Sequence, residues 1–124
     1  MSGLFSGAFE LKEILAKADP TSEDIERVTK ECLNNFCQAF LQTRLIRTPK
    51  VVPSIVRACQ AFCGMPEGNW NHSTIVYNAT IKNLGNVINT WVNTWKHLDK
   101  NEVIEATKRG IQSWVEEVIK ENEV

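Results

Sequence analysis

The chain has 124 residues, of which 43% are apolar and 23% are charged, and its formal net charge is −1. This length is enough for one domain with a buried core, and the composition excludes a disordered or collagen-like chain. No run of about 18 apolar residues is present, so we predict no membrane-spanning helix. The first residues lack the basic region and apolar core of a secretory signal, so we expect a cytoplasmic protein or one carried in a virion.

Apolar residues recur at helical spacing along the whole chain, and no segment alternates like a strand. We therefore predict an all-α fold, a single domain over residues 1–124 with about five helices. Because the connections are short, we expect neighbouring helices to be mostly antiparallel. The predicted helices cover 4–18, 21–46, 53–63, 73–98 and 100–121.

Residues with known preferences for helix ends set most of these limits. The first predicted helix stops before Pro20, since the residue before a proline disfavours the helical conformation. The second and fifth begin with acidic variants of the capping box, in which Thr21 precedes Asp24 and Asp99 precedes Glu102. The third has Pro53 in its first turn and ends at the sequence Gly-Met-Pro, residues 64–66.

Two glycines lie inside predicted helices. Glycine in a helix interior costs up to about 1 kcal/mol relative to alanine. Gly85 and Gly110 are therefore either tolerated defects or points where two helices cross closely. A break in the fourth predicted helix at Gly85 is a third alternative.

The four cysteines, Cys32, Cys37, Cys59 and Cys63, do not have the spacing of a zinc site. In a reducing compartment we expect free thiols that pack as small apolar side chains. A disulfide between two helices and a metal site remain alternatives. Two glycosylation sequons, at Asn71 and Asn78, are interpreted as chance matches, because no export signal accompanies them.

The fourth predicted helix is unusually rich in asparagine. Seven of the 27 residues from 69 to 95 are asparagine, and none is acidic. Its apolar residues are spaced by alternating steps of four and three, which predicts a buried seam of Tyr77, Ile81, Leu84, Ile88, Trp91, Trp95 and Leu98. The opposite face is predicted to carry Lys82, Asn83, Asn86, Asn89, Thr90, Asn93, Lys96 and His97.

Such a face is uncommon on a solvated helix, which normally mixes both charge signs and uses better helix formers. Three interpretations stay open. The asparagines are tolerated by drift, or they contact nucleic acid, to which an amide binds without needing a counter-charge. In the third interpretation they pack against another copy of the chain, where neutral amides avoid burying unpaired charge.

Charge is distributed unevenly along the chain. Residues 32–98 carry six basic residues and one acid, a net +5, whereas each flanking segment carries −3. A cluster of basic residues lies around the junction of the second and third predicted helices, at Arg44, Arg47, Lys50 and Arg57. Cations at a helix C-terminus complement its dipole, but this does not explain Lys50, Arg57 or the missing acids. Because arginine suits phosphate geometrically, the segment favours an anionic partner.

The tryptophans fall into two groups. Trp91, Trp95 and Trp114 lie on predicted seams, which is typical of core or interface anchors. Trp70 lies in a polar loop, where it either binds a partner, stacks on a base or folds back over the core.

Neither histidine lies in a metal-binding or catalytic-triad spacing, and there is no phosphate-binding glycine loop, so we expect no enzyme, no cofactor and no metal. We predict a self-associating, nucleocapsid-like protein that binds nucleic acid, RNA rather than DNA, because no DNA-reading motif is visible. The predicted contacts are Arg44, Arg47, Lys50, Arg57, Lys82, Asn86, Asn93 and Lys96. The alternatives are a protein–protein adaptor that uses Trp70 and the asparagine-rich helix, and a helical carrier of an apolar ligand.

Overall fold

The computed structural model describes residue 16 and residues 20–42, 51–66 and 74–122, without the side chains of 40–42 and 122. These residues form four α-helices: α1 (Ser22–Gln42), α2 (Val51–Phe62), α3 (Thr74–Thr94) and α4 (Lys100–Asn122). The described part of the chain contains no strand, which confirms the all-α class. The predicted helix at 4–18 and the end of the predicted second helix, 43–46, lie outside the described residues.

Both predicted capping boxes are present. The backbone N–H of Asp24 donates to the Thr21 hydroxyl oxygen at 3.2 Å, and the N–H of Thr21 donates to the Asp24 carboxylate at 2.9 Å. At the start of α4, the N–H of Asp99 donates to Glu102 at 3.4 Å, and the N–H of Asn101 donates to Asp99 at 3.1 Å. Each exchange satisfies N–H groups that have no partner inside the helix, so these two ends are set locally.

The end of α2 is closed by a glycine. Gly64 has a φ of +70°, in the left-handed region that favours glycine. This turn lets the N–H of Met65 donate to the Gln60 carbonyl at 2.8 Å, which is the long hydrogen bond of a Schellman cap. The predicted stop at residues 64–66 is therefore confirmed.

The most extensive helix contact joins α1 and α4, which are far apart in sequence. Glu26 contacts Arg109, and Asn34 contacts Trp114 further along, so contacts advance in the same direction on both helices. The two helices are therefore parallel. We predicted antiparallel packing only for consecutive helices joined by short connections, and α1 and α4 are not consecutive.

The core consists of two apolar clusters stacked along the bundle. One joins the start of α1 and of α4 to Trp91 and Trp95 at the end of α3. The other joins the second half of α1 and of α4 to α2 and the first half of α3. All four helices thus contribute side chains to these two clusters.

α3 runs through Gly85 without a break, and a β-carbon at position 85 would meet no atom within 4 Å. Its predicted seam is wrong at both ends: Val76 and Thr80 are buried, whereas Tyr77, Ile81 and Leu98 are only half-buried. Thr80 can occupy a core position because its hydroxyl donates to the Val76 carbonyl at 2.8 Å, which leaves no polar atom unpaired. A seam predicted from apolar residues alone therefore missed Thr80.

Candidate nucleic-acid interface

The predicted contact residues fall into three groups in the structure. Four of them, Lys82, Asn86, Asn93 and Lys96, are exposed along α3 and the turn that follows it. Arg57 is half-buried on α2 and has an interaction partner. Arg44, Arg47, Lys50 and Trp70 lie outside the described residues. The structure therefore brings together only the α3 group.

The exposed stripe of α3 contains two more asparagines than we predicted as contacts. Asn78, Lys82, Asn86, Asn89, Asn93 and Lys96 follow one another at steps of four, four, three, four and three residues, and all six are exposed. These steps keep the side chains on one side of a helix. We call this set the α3 amide face. At 1.5 Å per residue it is about 27 Å long. Asn78 could have been identified from the sequence, because it lies four residues before Lys82 and therefore on the same side of the helix.

The polar groups of the α3 amide face are unpaired within the described part of the chain. None of its six side chains forms a hydrogen bond or an ion pair with another described residue. On α1 and α4, three of the six cations form ion pairs: Arg27 with Glu31, Lys30 with Glu117 and Arg109 with Glu26. The surface of α1 and α4 is thus an ordinary solvated surface of mixed charge, whereas the donors of the α3 amide face remain available.

Polar side chains beside the α3 amide face are bonded to their own helix. The Asn83 amide donates to the Ala79 carbonyl at 2.8 Å, and the Thr90 and Thr94 hydroxyls donate to carbonyls four residues earlier at 2.9 and 2.7 Å. Their donors are occupied, so they are poorer candidates for ligand contact than the amides of the stripe. Sequence reasoning grouped Asn83 and Thr90 with the stripe, and the hydrogen bonds separate them.

Helix pairing also separates the charges. α1 carries four acidic and two basic residues, and α4 carries five acidic and four basic residues. α2 and α3 each carry a single cation and no acid. Because α1 packs mainly on α4, and α2 mainly on α3, the acids concentrate on one helix pair and the α3 amide face lies on the other. Within the four helices, the α3 amide face therefore carries positive charge only.

Tertiary packing holds this asparagine-rich helix in place. Asparagine, threonine and glycine are poor helix formers, and an isolated helix of this sequence would be marginal. Trp91 and Trp95 are buried and stacked, with ring centroids 5.6 Å apart, and Trp114 on α4 is buried in the other core cluster. The prediction that these tryptophans are anchors in the core is confirmed. Because packing keeps α3 folded, its exposed residues do not need to be good helix formers.

The cysteines are free thiols in the structure, three of them buried and Cys63 half-buried. Burial raises the pKa of Cys37 from 9.0 to about 12 and that of Cys63 to about 11. A thiol with such a pKa is protonated at neutral pH and is a weak nucleophile and metal ligand. No three His, Cys, Asp or Glu side chains of the described residues are arranged to hold a metal ion. The cysteines therefore act as core residues, as the leading interpretation predicted.

None of the helices within the described ranges is long and apolar enough to cross a membrane. Comparison of the chain with protein-family models, with curated proteins and with solved structures finds no match. The functional argument therefore rests on the α3 amide face and on the chemistry of its side chains.

Proposed function

We propose that the protein is a non-enzymatic, self-associating, nucleocapsid-like protein that binds nucleic acid, preferentially RNA. One observation carries the proposal: the α3 amide face combines two unpaired lysines with four unpaired amides and no acid over about 27 Å. Lysine and asparagine side chains are common ligands of the sugar-phosphate backbone, and a carboxylate on such a face would repel it. Arg44, Arg47, Lys50 and Arg57 are proposed as a second group of phosphate contacts.

Self-association through two α3 amide faces is unfavourable on electrostatic grounds. If two copies met antiparallel around Asn89, Lys82 of each would oppose Lys96 of the other, and a parallel contact would oppose each lysine to itself. Like charges placed together at an interface are costly. Nucleic acid is therefore the better occupant of this face, and the proposed contact between copies uses another surface.

The first test is size-exclusion chromatography with light scattering and detection at 260 nm, at about 50 mM and then 500 mM salt, where phosphate contacts weaken. The expected result is a large species that contains nucleic acid and dissociates at high salt. A clean monomer or dimer at both salt concentrations, with no binding to added RNA, would overturn the proposal.

A second test locates the binding surface by fluorescence anisotropy with a labelled RNA oligonucleotide. Lys82→Glu should weaken binding at least about tenfold, since it removes a phosphate contact and adds a repelling charge. Lys120→Glu is the matched control: it makes the same change in net charge, but at an exposed site of α4 among acids. If both variants lose affinity equally, the effect is one of net charge and the α3 amide face is not the interface.

A protein–protein adaptor is the second candidate, favoured by one observation. Ile75 is 71% exposed in the first turn of α3, in line with Asn78 and Lys82. An exposed isoleucine beside a polar stripe is a common feature of protein contacts. If the protein is an adaptor, Ile75→Ser and Trp70→Ala would abolish capture of a protein partner. The wild-type protein and Lys82→Glu would then both fail to bind RNA.

A further inference from the structure

The unpaired amides of Asn86, Asn89 and Asn93 lie in consecutive turns between the two lysines of the α3 amide face. Each amide offers two N–H donors and one carbonyl acceptor to solvent. A phosphate group can use only the donors, because its oxygens accept hydrogen bonds. On a nucleic-acid backbone, the acceptors can be used only by a group that donates hydrogen bonds.

The ribose 2′-hydroxyl is such a donor, and it distinguishes RNA from DNA. We infer that the α3 amide face selects RNA over DNA by accepting hydrogen bonds from 2′-hydroxyl groups at the carbonyls of Asn86, Asn89 and Asn93, independently of base sequence. This inference rests on the proposed function and specifies its ligand. Lys82 and Lys96 supply the electrostatic contacts at the two ends, and the amides between them supply the discrimination.

The charge of the face supports this division of roles. Only two lysines lie on a stripe that would face about eight nucleotides at 3.4 Å per nucleotide. Binding through two phosphate contacts gives a slope of about −1.4 for log K against log salt on a single strand, far shallower than that of a strongly basic protein. Hydrogen bonding must therefore provide much of the affinity of this face, and it is in hydrogen bonding that RNA and DNA differ.

The test compares three oligonucleotides of one sequence, as RNA, DNA and 2′-O-methyl RNA, at several salt concentrations. The wild-type protein should bind RNA about tenfold more tightly than DNA, or about 1.4 kcal/mol. 2′-O-methyl RNA should bind like DNA, because the methyl group removes the hydroxyl donor. A second, unrelated sequence should give the same ratio.

The triple variant Asn86→Ala, Asn89→Ala and Asn93→Ala isolates the amides. It should lose the preference for RNA and bind RNA and DNA with equal, weaker affinity, because the amide donors to phosphate are lost as well. Its salt slope should stay unchanged, because both lysines remain. Asn83→Ala is the control on the same helix, since its side chain is half-buried beside the α3 amide face and is held by its hydrogen bond to the Ala79 carbonyl. It should bind RNA as the wild type does.

The possible outcomes separate this inference from the proposed function. Equal wild-type affinity for RNA and DNA, or a triple variant that keeps its preference, would overturn the selection mechanism and leave nucleic-acid binding intact. Failure to bind any of the three oligonucleotides would overturn both. Capture of a protein by the α3 amide face without nucleic-acid binding would instead identify an adaptor.

Discussion

Gly110 on α4 lies directly against the backbone of Glu26 on α1: a β-carbon built at position 110 would come within 2.5 Å of the Glu26 carbonyl oxygen and 2.8 Å of the Thr29 β-carbon. The close crossing that was one alternative for this glycine is therefore present. It lets the parallel helices approach and form the hydrogen bond from Arg109 to Glu26 at 3.2 Å.

Replacing Gly110 with alanine should destabilise the fold. The new methyl group meets backbone, which cannot rotate away, and overpacking of this kind costs about 1–3 kcal/mol. This exceeds the gain of about 1 kcal/mol in helix propensity. The free energy of unfolding in urea should fall by up to about 2 kcal/mol, the difference between these two effects. Gly85→Ala is the matched control and should stabilise the protein, since nothing lies within 4 Å of that site. Equal stabilisation by both substitutions would contradict the crossing.

The outer face of α3 should be more stable without its asparagines. Asn86→Ala, Asn89→Ala and Asn93→Ala each exchange an exposed asparagine for the best helix former, worth up to about 0.7 kcal/mol apiece. The triple variant should therefore gain roughly 2 kcal/mol in urea denaturation. If asparagine is retained for binding, this gain accompanies the loss of RNA preference. Gain without any loss of binding would support drift instead.

The two indole N–H groups of Trp114 and Trp95 should respond differently to replacement by phenylalanine. The Trp114 N–H donates to the Asn34 side-chain oxygen at 2.8 Å, whereas the buried Trp95 N–H has no hydrogen-bond partner among the described residues. An unpaired buried donor costs about 1–3 kcal/mol, and removing it offsets part of the lost packing. Trp95→Phe should thus cost less stability than Trp114→Phe.

Denaturation of both variants in urea measures this difference. Asn34→Ala provides the control, because it removes the acceptor of the Trp114 hydrogen bond. The loss of about 1 kcal/mol is partly offset by up to about 0.7 kcal/mol of helix propensity. Equal losses for the two phenylalanine variants would mean that packing alone decides the effect.

The buried thiols should make the protein less stable at alkaline pH. In the unfolded chain a cysteine ionises near pH 9.0, but burial raises the pKa of Cys37 to about 12 in the folded protein. Above pH 9 the unfolded state has released protons that the folded state still holds, so the free energy of unfolding falls as pH rises from about 9 towards 12.

Urea denaturation between pH 8 and about 10.5 would measure the decline, which should be shallower in Cys37→Ala by up to about 1.4 kcal/mol per pH unit. Lysine and tyrosine ionisation is common to both proteins and cancels in the comparison. An identical pH dependence in the two proteins would show that Cys37 is not protected from ionisation.

The sequence by itself determined the local structure of this protein. Thr21 with Asp24, Asp99 with Glu102, and Gly64 mark helix ends because their bonds join residues within a few positions of one another. The exposed position of Lys82, Asn86, Asn93 and Lys96 followed equally from helical periodicity.

Only the tertiary structure decided what depends on groups far apart in the chain. The parallel pairing of α1 with α4 and the contact at Gly110 join residues about 80 positions apart, and no local pattern encodes such distances. The shifted seam of α3 was also decided there, because Thr80 satisfies its own hydroxyl and can then be buried. Most important for function, the partners of a side chain depend on its neighbours in space. Packing determined that the lysines and asparagines of the α3 amide face lie in solvent without partners among the described residues, whereas Arg27, Lys30 and Arg109 on α1 and α4 contact carboxylates.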